Sequence, residues 1–469
     1  MKERQECGFQ VSTANFDRHH SLGVATYQAK EYEKAVAYFL AALVIRPDSA
    51  AAYSNFGAAL KALNQANAAV AVYSRAIAIR PEFAGAHFNR GNSLKELSRL
   101  DHAIVEYEAV ICIDPGFAGA YNNRGVALKE VGRLAAAISA FNRVIAIEPS
   151  HVEAHYSRAI ALLLGGDLRD GWELYEWRWK RNIIAGLRRD FHQPLWLGKE
   201  PLDGKILLIE SEQGLGDTIQ FCRYARMASD LGATVILEVL EPLLNLLQGL
   251  SGVSNIIVKG SPLPPYDYHC PLMSLPMVFK TDLDSIPHAQ KYLTADADKL
   301  RRWTRKLGEK TKPRIGLAWS SISGFPDNKS RSVPLSEFLE ALPESGFEYI
   351  CLQKEICASD ATTLKSRPDI RWFGEEFNDL SDTAALIETL DLVVSTCTSI
   401  PHLSAALGKP TWILLAYIPD WRWLLDRDDT PWYPSVRLFR QEKIGDWQTV
   451  FISVRTSLTR HFSIPSGHS

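Results

Sequence analysis

A glycine-rich segment, Glu212-Gln-Gly-Leu-Gly-Asp217, carries the first residues whose types and spacing could do chemistry. It follows a short apolar run that predicts a buried strand and precedes a helix-like stretch at 218–229. Gly214 and Gly216 permit a tight turn and a close approach of the backbone to a ligand. Asp217, near the start of the helix, would act as a catalytic base that accepts a proton from an acceptor hydroxyl. The alternative is an ordinary N-terminal cap on a strand–helix turn.

A second segment, residues 395–408, follows another predicted strand and opens a short helix with Pro401 in its first turn. The hydroxyls of Thr398 and Ser399, together with free backbone amides, would form a pocket for a pyrophosphate. His402 would donate a hydrogen bond to a phosphate oxygen. The alternative is that the hydroxyls cap this helix and that His402 is a packed polar residue, and the motif alone favours neither reading.

A third cluster puts hydroxyl and cationic groups on the same expected crevice. Trp319 and Ser320 end one predicted strand, Gln353 and Lys354 follow another, and Arg331 lies in a polar loop. Lys354 and Arg331 would neutralise the charge of a diphosphate, which a guanidinium can do with two parallel hydrogen bonds. Taken singly, each of these residues is more often a solvated surface group.

Two blocks of alternating strands and helices would position these segments. They predict two doubly wound α/β domains side by side, at 205–300 and 313–460, with a connector at 183–204 before them and a polar bridge at 296–312. In such folds ligands bind at the carboxyl ends of the strands. The predicted strands lie at 205–210, 234–239, 255–258, 313–319, 349–352, 391–394, 411–415 and 436–439.

The first third of the chain repeats every 34 residues. Helix hairpins explain the pattern, because small residues let two helices approach, an aromatic fills the space between hairpins, and proline ends the second helix. The pattern resembles the tetratricopeptide repeat (TPR) over about residues 15–182 and predicts an α-solenoid of about five repeats. The columns are Pro47, Pro81, Pro115 and Pro149; Gly23, Gly57, Gly91 and Gly125, then Ala159; Ala35, Ala69, Ala103 and Ala137, then Gly171; and Phe39, Tyr73, Tyr107, Phe141 and Tyr175.

Asparagines stand two residues before three of the central glycines, at Asn55, Asn89 and Asn123. They would form a ladder of amides on the concave face that binds a peptide backbone. This ladder looks like the one in O-linked N-acetylglucosaminyltransferases that carry TPRs, although asparagine is also simply common at this TPR position. The fifth unit lacks the closing proline and ends in the aromatic run 172–179, which suits a terminal unit that docks onto another part.

Taken together, the motifs from about Trp196 to Arg440 resemble the glycosyltransferases related to ADP-heptose–lipopolysaccharide heptosyltransferases. That family has a GT-B fold, a pair of Rossmann-like α/β domains, and often follows TPR arrays in bacterial proteins. The resemblance implies that Asp217 is the base, that nucleotide-sugar diphosphate is held by residues of the second half, and that no metal or other cofactor is needed. The matching segments are 212–217, 316–319, 331–332, 352–354, 398–410, 420–423 and 432–434.

One position departs from this family, which often has Asp before the Thr-Ser pair where this chain has Cys397. A thiol cannot replace the charge of a carboxylate, so the donor identity stays open. The expected function is a metal-independent sugar transferase whose TPR groove recruits a protein or glycan acceptor, or a partner. The alternatives are a TPR scaffold with a degenerate transferase-like part, and an enzyme acting on a glycolipid through an apolar groove at 271–276.

Composition limits the remaining function classes. The 469 residues suggest two to four domains, and a net charge of −2 speaks against nucleic acid or anionic membranes as partners. No apolar run is long enough for a membrane span, and the polar N-terminal residues lack the apolar core of a signal peptide. The 7 cysteines form no CxxC pair, which fits a reducing compartment and predicts no zinc site. These features predict a cytoplasmic protein.

Overall fold

The computed structural model describes residues 2–181, 189, 191–287, 290–320 and 332–463, with side chains from residue 13 onward. The chain divides into two compact units, Met1–Ala161 and Leu162–Ser469. The division falls about twenty residues before the predicted end of the helical domain at 182, so the last helix of the repeat pattern belongs to the second unit. No helix in the described part of the chain combines the length and apolar character needed to cross a bilayer.

The first unit is built of helices, and each of the first seven packs against the next along the chain. In the second helix of each hairpin, the small residue and the aromatic of the repeat are almost fully buried, as Ala69 and Tyr73 are. The helices are α1 (Lys2–Gln28), α2 (Tyr32–Ile45), α3 (Ala50–Ala62), α4 (Ala66–Ile79), α5 (Ala84–Glu96), α6 (Leu100–Ile113), α7 (Ala118–Glu130), α8 (Leu134–Ile147) and α9 (Val152–Leu164), the last of which crosses the division between the units.

The glycine and proline columns act as the repeat pattern predicts. A Cβ added at Gly57 would lie 2.7 Å from the ring of Tyr73, so only glycine lets the two helices approach this closely. Each second helix ends two residues before its proline, as α2 does at Ile45 before Pro47. Proline has no amide hydrogen and cannot continue the helical hydrogen bonds. The same geometry recurs in the next repeats along the chain.

The second unit contains two parallel sheets with helices between their strands. After the last residues of α9 it continues with α10 (Leu168–Tyr175) and a 3₁₀ turn (Glu176–Lys180). The remaining elements are β1 (Ile206–Glu210), α11 (Leu215–Phe221), α12 (Tyr224–Asp230), β2 (Thr234–Val239), α13 (Leu244–Leu247), β3 (Asn255–Val258), β4 (Tyr268–Pro271), α14 (Leu275–Val278), α15 (Ala297–Leu307), β5 (Arg314–Ala318), α16 (Leu335–Phe338), β6 (Glu348–Cys351), α17 (Ala358–Lys365), β7 (Ile370–Trp372), α18 (Leu380–Glu388), β8 (Leu392–Thr396), α19 (Ser399–Ala406), β9 (Thr411–Leu415), β10 (Val436–Arg440) and α20 (Trp447–His461).

In each sheet the strand order reverses at one point. The first sheet has the order β3-β2-β1-β4, and the second has the order β10-β9-β8-β5-β6-β7, with every pair parallel. The order reverses between β1 and β4 and between β5 and β8. In open parallel sheets the crevice outside the carboxyl ends of such strands is where ligands bind.

Several details add to or differ from the sequence-based expectations. The stretch predicted as one helix at 218–229 is two short helices, α11 and α12, and α11 starts earlier, at Leu215. The polar bridge predicted at 296–312 contains α15, which packs against α18. The connector also has local structure, because Trp196 donates its backbone N–H to His269 of β4 at 2.8 Å.

Candidate functional site

The loop after β1 is closed by its own aspartate. The Oδ2 atom of Asp217 accepts a hydrogen bond from the backbone N–H of Gly214 at 2.8 Å, which caps α11 from its third residue. The Gly214 amide is therefore used inside the loop. Gln213, just before it, has a positive φ of 61°, a backbone conformation that is uncommon for a residue with a side chain. Oδ2 of Asp217 therefore caps the helix, which is the alternative role considered from the sequence.

The other oxygen of Asp217 faces a buried cation. Oδ1 accepts a hydrogen bond from Nη2 of Arg422, whose guanidinium also contacts Asp420 at 2.8 Å and Oε1 of Gln220 at 2.9 Å. Burial by itself would lower the pKa of Arg422, but the charges of Asp420 and Asp217 outweigh it and raise that pKa. A guanidinium stays protonated in proteins, so Asp217 always faces a positive charge.

The helix that follows β8 brings the second segment to the same place. A Cβ added at Gly216 would lie 3.0 Å from Cδ2 of His402 and 3.5 Å from Cα of Ser399. The close backbone approach predicted at Gly216 is therefore made to α19. The N-terminal ends of α11 and α19 meet here, which joins the loop carrying Asp217 to the segment predicted to bind a pyrophosphate.

The first turn of α19 is partly occupied by its own side chains. Oγ1 of Thr398 accepts a hydrogen bond from the N–H of Ile400 at 3.3 Å, which is the capping role considered from the sequence. Pro401 supplies no amide hydrogen. Thr398 and Ser399 are half-buried, so both remain partly accessible to solvent. The turn offers hydroxyls and few amides to an anion.

Aromatic side chains surround His402 and Cys397. His402 is 5% exposed, its Nδ1 lies 3.0 Å from the hydroxyl of Tyr433, and its ring stacks on Trp423 at 5.1 Å between centroids. The indole N–H of Trp423 donates to Sγ of Cys397 at 3.0 Å. His402 is therefore a packed polar residue in this structure, as the alternative interpretation of the segment has it. Cys397, at the position where the family often has Asp, contacts the indole of Trp423.

The third predicted cluster divides into structural and accessible residues. Oε1 of Gln353 accepts hydrogen bonds from the backbone N–H groups of Trp319 at 2.7 Å and Ser320 at 3.0 Å, so it ties the ends of β5 and β6 together. Trp319 is fully buried and donates its indole N–H to Asp360. Its ring does not line the crevice. Ser320 is half-buried and Lys354 is exposed, with Nζ 3.2 Å from the carbonyl oxygen of Asn378.

The predicted diphosphate-binding residue Arg331 and the question of a metal site remain to be considered. Arg331 is outside the described residues. No group of three or more His, Cys, Asp or Glu side chains in the described part of the chain is arranged to hold a metal ion. A cavity of about 260 Å³ lies between α10 and α14, where Trp172 and Met277 are among the residues that line it.

Sequence reasoning missed a buried charge that reaches the same loop from the 3₁₀ turn after α10. Arg178, in the 3₁₀ turn, is fully buried and donates two hydrogen bonds to Glu212, at 2.9 and 2.8 Å. The hydroxyl of Tyr175 accepts a hydrogen bond from Nε2 of Gln213 at 2.7 Å. Nearby, Trp172 makes edge contacts with Trp421 and Phe221. The aromatic run that ends the repeat pattern therefore docks within the second unit, and its departure from the regular repeat was the available signal.

The predicted asparagine ladder is half-buried and partly bonded within the helices. The amide nitrogen of Asn55 lies 3.1 Å from Nε2 of His20, and that of Asn123 donates to Oδ1 of Asn92 at 2.8 Å. The backbone carbonyl of Asn89 accepts a hydrogen bond from the hydroxyl of Ser93. These contacts orient the Asn55 and Asn123 amides.

Comparisons with known proteins identify the repeats. Residues 57–98 match the model of a TPR repeat, and residues 122–176 match the model of a tetratricopeptide repeat. The N-terminal region is therefore an array of TPR repeats, as its 34-residue pattern predicts. Repeats of this kind serve protein interaction.

The chain is also similar to a curated protein and to several solved structures. Protein FlbA of Caulobacter vibrioides is 25% identical over 317 residues, and the chain spans about half of that relative, since the match covers 62% of this chain and 52% of FlbA. MamA 41-end from Desulfovibrio magneticus RS-1 is 19% identical with a TM-score of 0.34, covering 38% of this chain and 98% of that one. YrrB, described as a TPR protein with an unusual peptide-binding site, is 19% identical with a TM-score of 0.33, covering 36% of this chain and 89% of that one.

Proposed function

We propose that the second unit is a GT-B-like glycosyltransferase that transfers a sugar from a nucleotide-sugar donor to a hydroxyl acceptor without a metal ion. In this proposal β1–β4 and β5–β10 are the two Rossmann-like halves. The donor is bound at the carboxyl ends of β5, β6 and β8, and the acceptor hydroxyl lies beside Asp217. The donor is a substrate, and no separate cofactor takes part.

The observation that carries the proposal is the meeting of the two strand-end loops. The loop after β1 and the segment after β8 each follow a strand at which the order of its sheet reverses. Gly216 lies close to His402, and Asp217 is paired with Arg422. Reaction between two bound substrates needs two such sites side by side, because catalysis gains most from holding the reacting groups together.

The proposed reaction moves one proton and exchanges one bond. The acceptor oxygen forms a bond to the anomeric carbon of the donor while its proton passes to the carboxylate of Asp217. The bond between that carbon and the diphosphate oxygen breaks, and the nucleoside diphosphate leaves with the electron pair. The hydroxyls of Ser320, Thr398 and Ser399 and the ammonium group of Lys354 would stabilise its charge. Each oxygen of Asp217 accepts one protein hydrogen bond and keeps another lone pair for the substrate.

The TPR array would recruit the acceptor. Stacked repeats form extended concave surfaces, and the half-buried amides of Asn55, Asn89 and Asn123 would bind the backbone of a protein acceptor or partner. A glycan carried by such a protein is the second possible acceptor.

Replacement of the base tests the enzyme directly. Asp217→Asn removes the proton acceptor and should lower transfer from a nucleotide sugar by about 10²- to 10⁴-fold, the usual contribution of a general base. The measurement is sugar transfer to co-expressed proteins, followed by mass spectrometry. Asp101→Asn, at an exposed ion pair in the first unit, is the matched control and should transfer normally. Full transfer by a folded Asp217→Asn variant would reject the assigned base.

A specific observation also favours a second candidate, a non-catalytic TPR scaffold. Several polar groups of the crevice are bonded to neighbouring protein groups: Cys397 to Trp423, His402 to Tyr433, and Thr398 to its own helix. A thermal-shift screen distinguishes the two, because a ligand that binds only the native state raises the melting temperature. A rise with a UDP, GDP, ADP or CMP sugar supports the transferase, whereas no rise with any of them supports the scaffold.

A further inference from the structure

The 3₁₀ turn after α10 contains an arginine that is entirely removed from water. Besides its two hydrogen bonds to Glu212, Arg178 donates to the hydroxyl of Ser274 at 2.8 Å and contacts Glu176 at 2.5 Å. A buried charge is tolerated only when it is paired and hydrogen-bonded, and all the contacts named here serve this purpose. Glu212 in turn accepts a hydrogen bond from the backbone N–H of Met273 at 3.0 Å. The network fixes Glu212 firmly.

Glu212 and Gln213 are the first two residues of the loop that ends at Asp217. Gln213 is largely exposed, yet its backbone has the left-handed φ of 61°. Such a conformation costs free energy and persists only where the surroundings determine it. On one side Glu212 is held by Arg178, and the Gln213 side chain itself donates to the buried hydroxyl of Tyr175. On the other side the loop is closed by the hydrogen bond between Gly214 and Asp217.

We propose that Tyr175 and Arg178 are positioning residues, through which the last helix of the repeat pattern sets the conformation of the loop that carries Asp217. The inference rests on the proposed function only for the role of Asp217. Arg178 acts through Glu212, and the hydroxyl of Tyr175 acts through Gln213. The ring of Tyr175 also lies 6.4 Å from that of Trp421, the neighbour of Arg422, so the test must remove the hydroxyl and keep the ring. The α/β part of the second unit would therefore need residues 168–180 for an ordered site.

Two variants of the full chain test this proposal. Tyr175→Phe removes the hydroxyl that Gln213 donates to and keeps the ring, and Arg178→Lys keeps the charge and loses the forked hydrogen bonds. The matched control is Tyr73→Phe, the same change in the same column of a regular repeat. Hydrogen exchange of the peptide 212–217, measured without any substrate, should speed up by about three- to tenfold in Tyr175→Phe, the effect of one lost hydrogen bond. The increase should be at least as large in Arg178→Lys and absent in the control.

Kinetics separate positioning from a general structural role. With a nucleotide-sugar donor, both variants should lower kcat by about tenfold or more and leave the KM for the donor unchanged, since a misplaced group costs rate and the donor is bound by the other half. Faster exchange confined to 212–217 supports the proposal. Unchanged exchange there, or faster exchange spread equally through β1 and α11, overturns it. If the wild type transfers no sugar, the proposed function fails, and the exchange result alone decides whether these residues position the loop.

Discussion

The regular helix hairpins of the first unit and the segment 168–180 of the second share the small-residue and aromatic columns of the repeat, but the aromatic residue makes different contacts in the two regions. In the first unit the aromatic column packs on glycine, with an added Cβ at Gly23, Gly57, Gly91 or Gly125 falling 2.6–2.7 Å from the ring. In the second unit the next aromatic of that column, Tyr175, accepts a hydrogen bond from Gln213, in the loop after β1. The repeat register therefore determines the position of a residue on its helix but not the residue that it contacts.

The two regions also differ in how deeply their ion pairs are buried. Arg124, on α7, makes hydrogen bonds with Glu108 at 3.0 and 2.8 Å, and the side chains are 26% and 47% exposed. Arg178 and Glu212 make a similar pair with side chains 0% and 10% exposed. Water screens the first pair, whereas the second pair is held in a medium of low polarity, so their removal should have very different effects.

The largest effect is expected from breaking the buried pair. Arg178→Met should lower the free energy of unfolding of the second unit by about 3–5 kcal/mol, because Glu212 and Glu176 lose their cation. All 12 tryptophans of the chain lie after residue 161, so tryptophan fluorescence during urea unfolding reports the second unit alone. The far-ultraviolet circular dichroism of the helical repeats should change little. A loss below about 1 kcal/mol would mean that the buried pair stabilises the protein no more than an exposed pair does.

The same variant should depend on pH in a defined direction. Burial raises the pKa of Glu212 above its ordinary value of 4.5, and Arg178 acts against that rise. Without Arg178 the pKa of Glu212 in the folded state rises further, so the folded variant binds a proton more tightly than the folded wild type and gains more stability as the pH falls. The deficit of Arg178→Met relative to the wild type should therefore shrink from neutral pH toward pH 4.5. A deficit that stays constant would show that Glu212 does not carry the effect.

An intermediate effect is expected from crowding the glycine column. Gly91→Val places a Cβ 2.7 Å from the ring of Tyr107 and 3.2 Å from Cβ of Glu106. The ring is fully buried and its hydroxyl donates to Asn92, so it cannot move away easily. We expect a loss of about 1–3 kcal/mol in the helical transition followed by circular dichroism.

A double variant controls for helix propensity. In the presence of Tyr107→Leu the added valine has room, so the two changes together should cost less than their sum. Strict additivity would mean that the glycine serves some purpose other than close packing on the ring.

The sequence predicted most of the elements because their signals are local. The bounds of β2, β3 and β9 agree with the predicted runs 234–239, 255–258 and 411–415. Two strands were missed. β4 is four residues long and contains His269 and a proline, and β7 has three residues, so neither shows a sustained apolar run.

The segments of the candidate site could be chosen from the sequence, but the contacts between their side chains could not. Asp217 and His402 were found because each follows a strand and opens a helix. The partner of Asp217 is Arg422, 205 residues away, and a single sequence contains no signal for such a contact. Trp319 and Gln353 were placed on the expected crevice from their position at strand ends. Their side chains are directed to Asp360 and to backbone amides, a choice that depends on packing.

The smallest effect is expected at the exposed pair of the first unit. Arg124→Gln removes the charge that faces Glu108 on α6 and keeps a polar side chain of similar reach. Because water and salt screen both groups, the free energy of unfolding should fall by about 0.2–1 kcal/mol and the difference should shrink further at high salt. Circular dichroism of urea unfolding at low and high salt measures it against the wild type. A loss of several kcal/mol, or one that salt leaves unchanged, would mean that Arg124 is held as firmly as Arg178 and that burial is not what separates the two pairs.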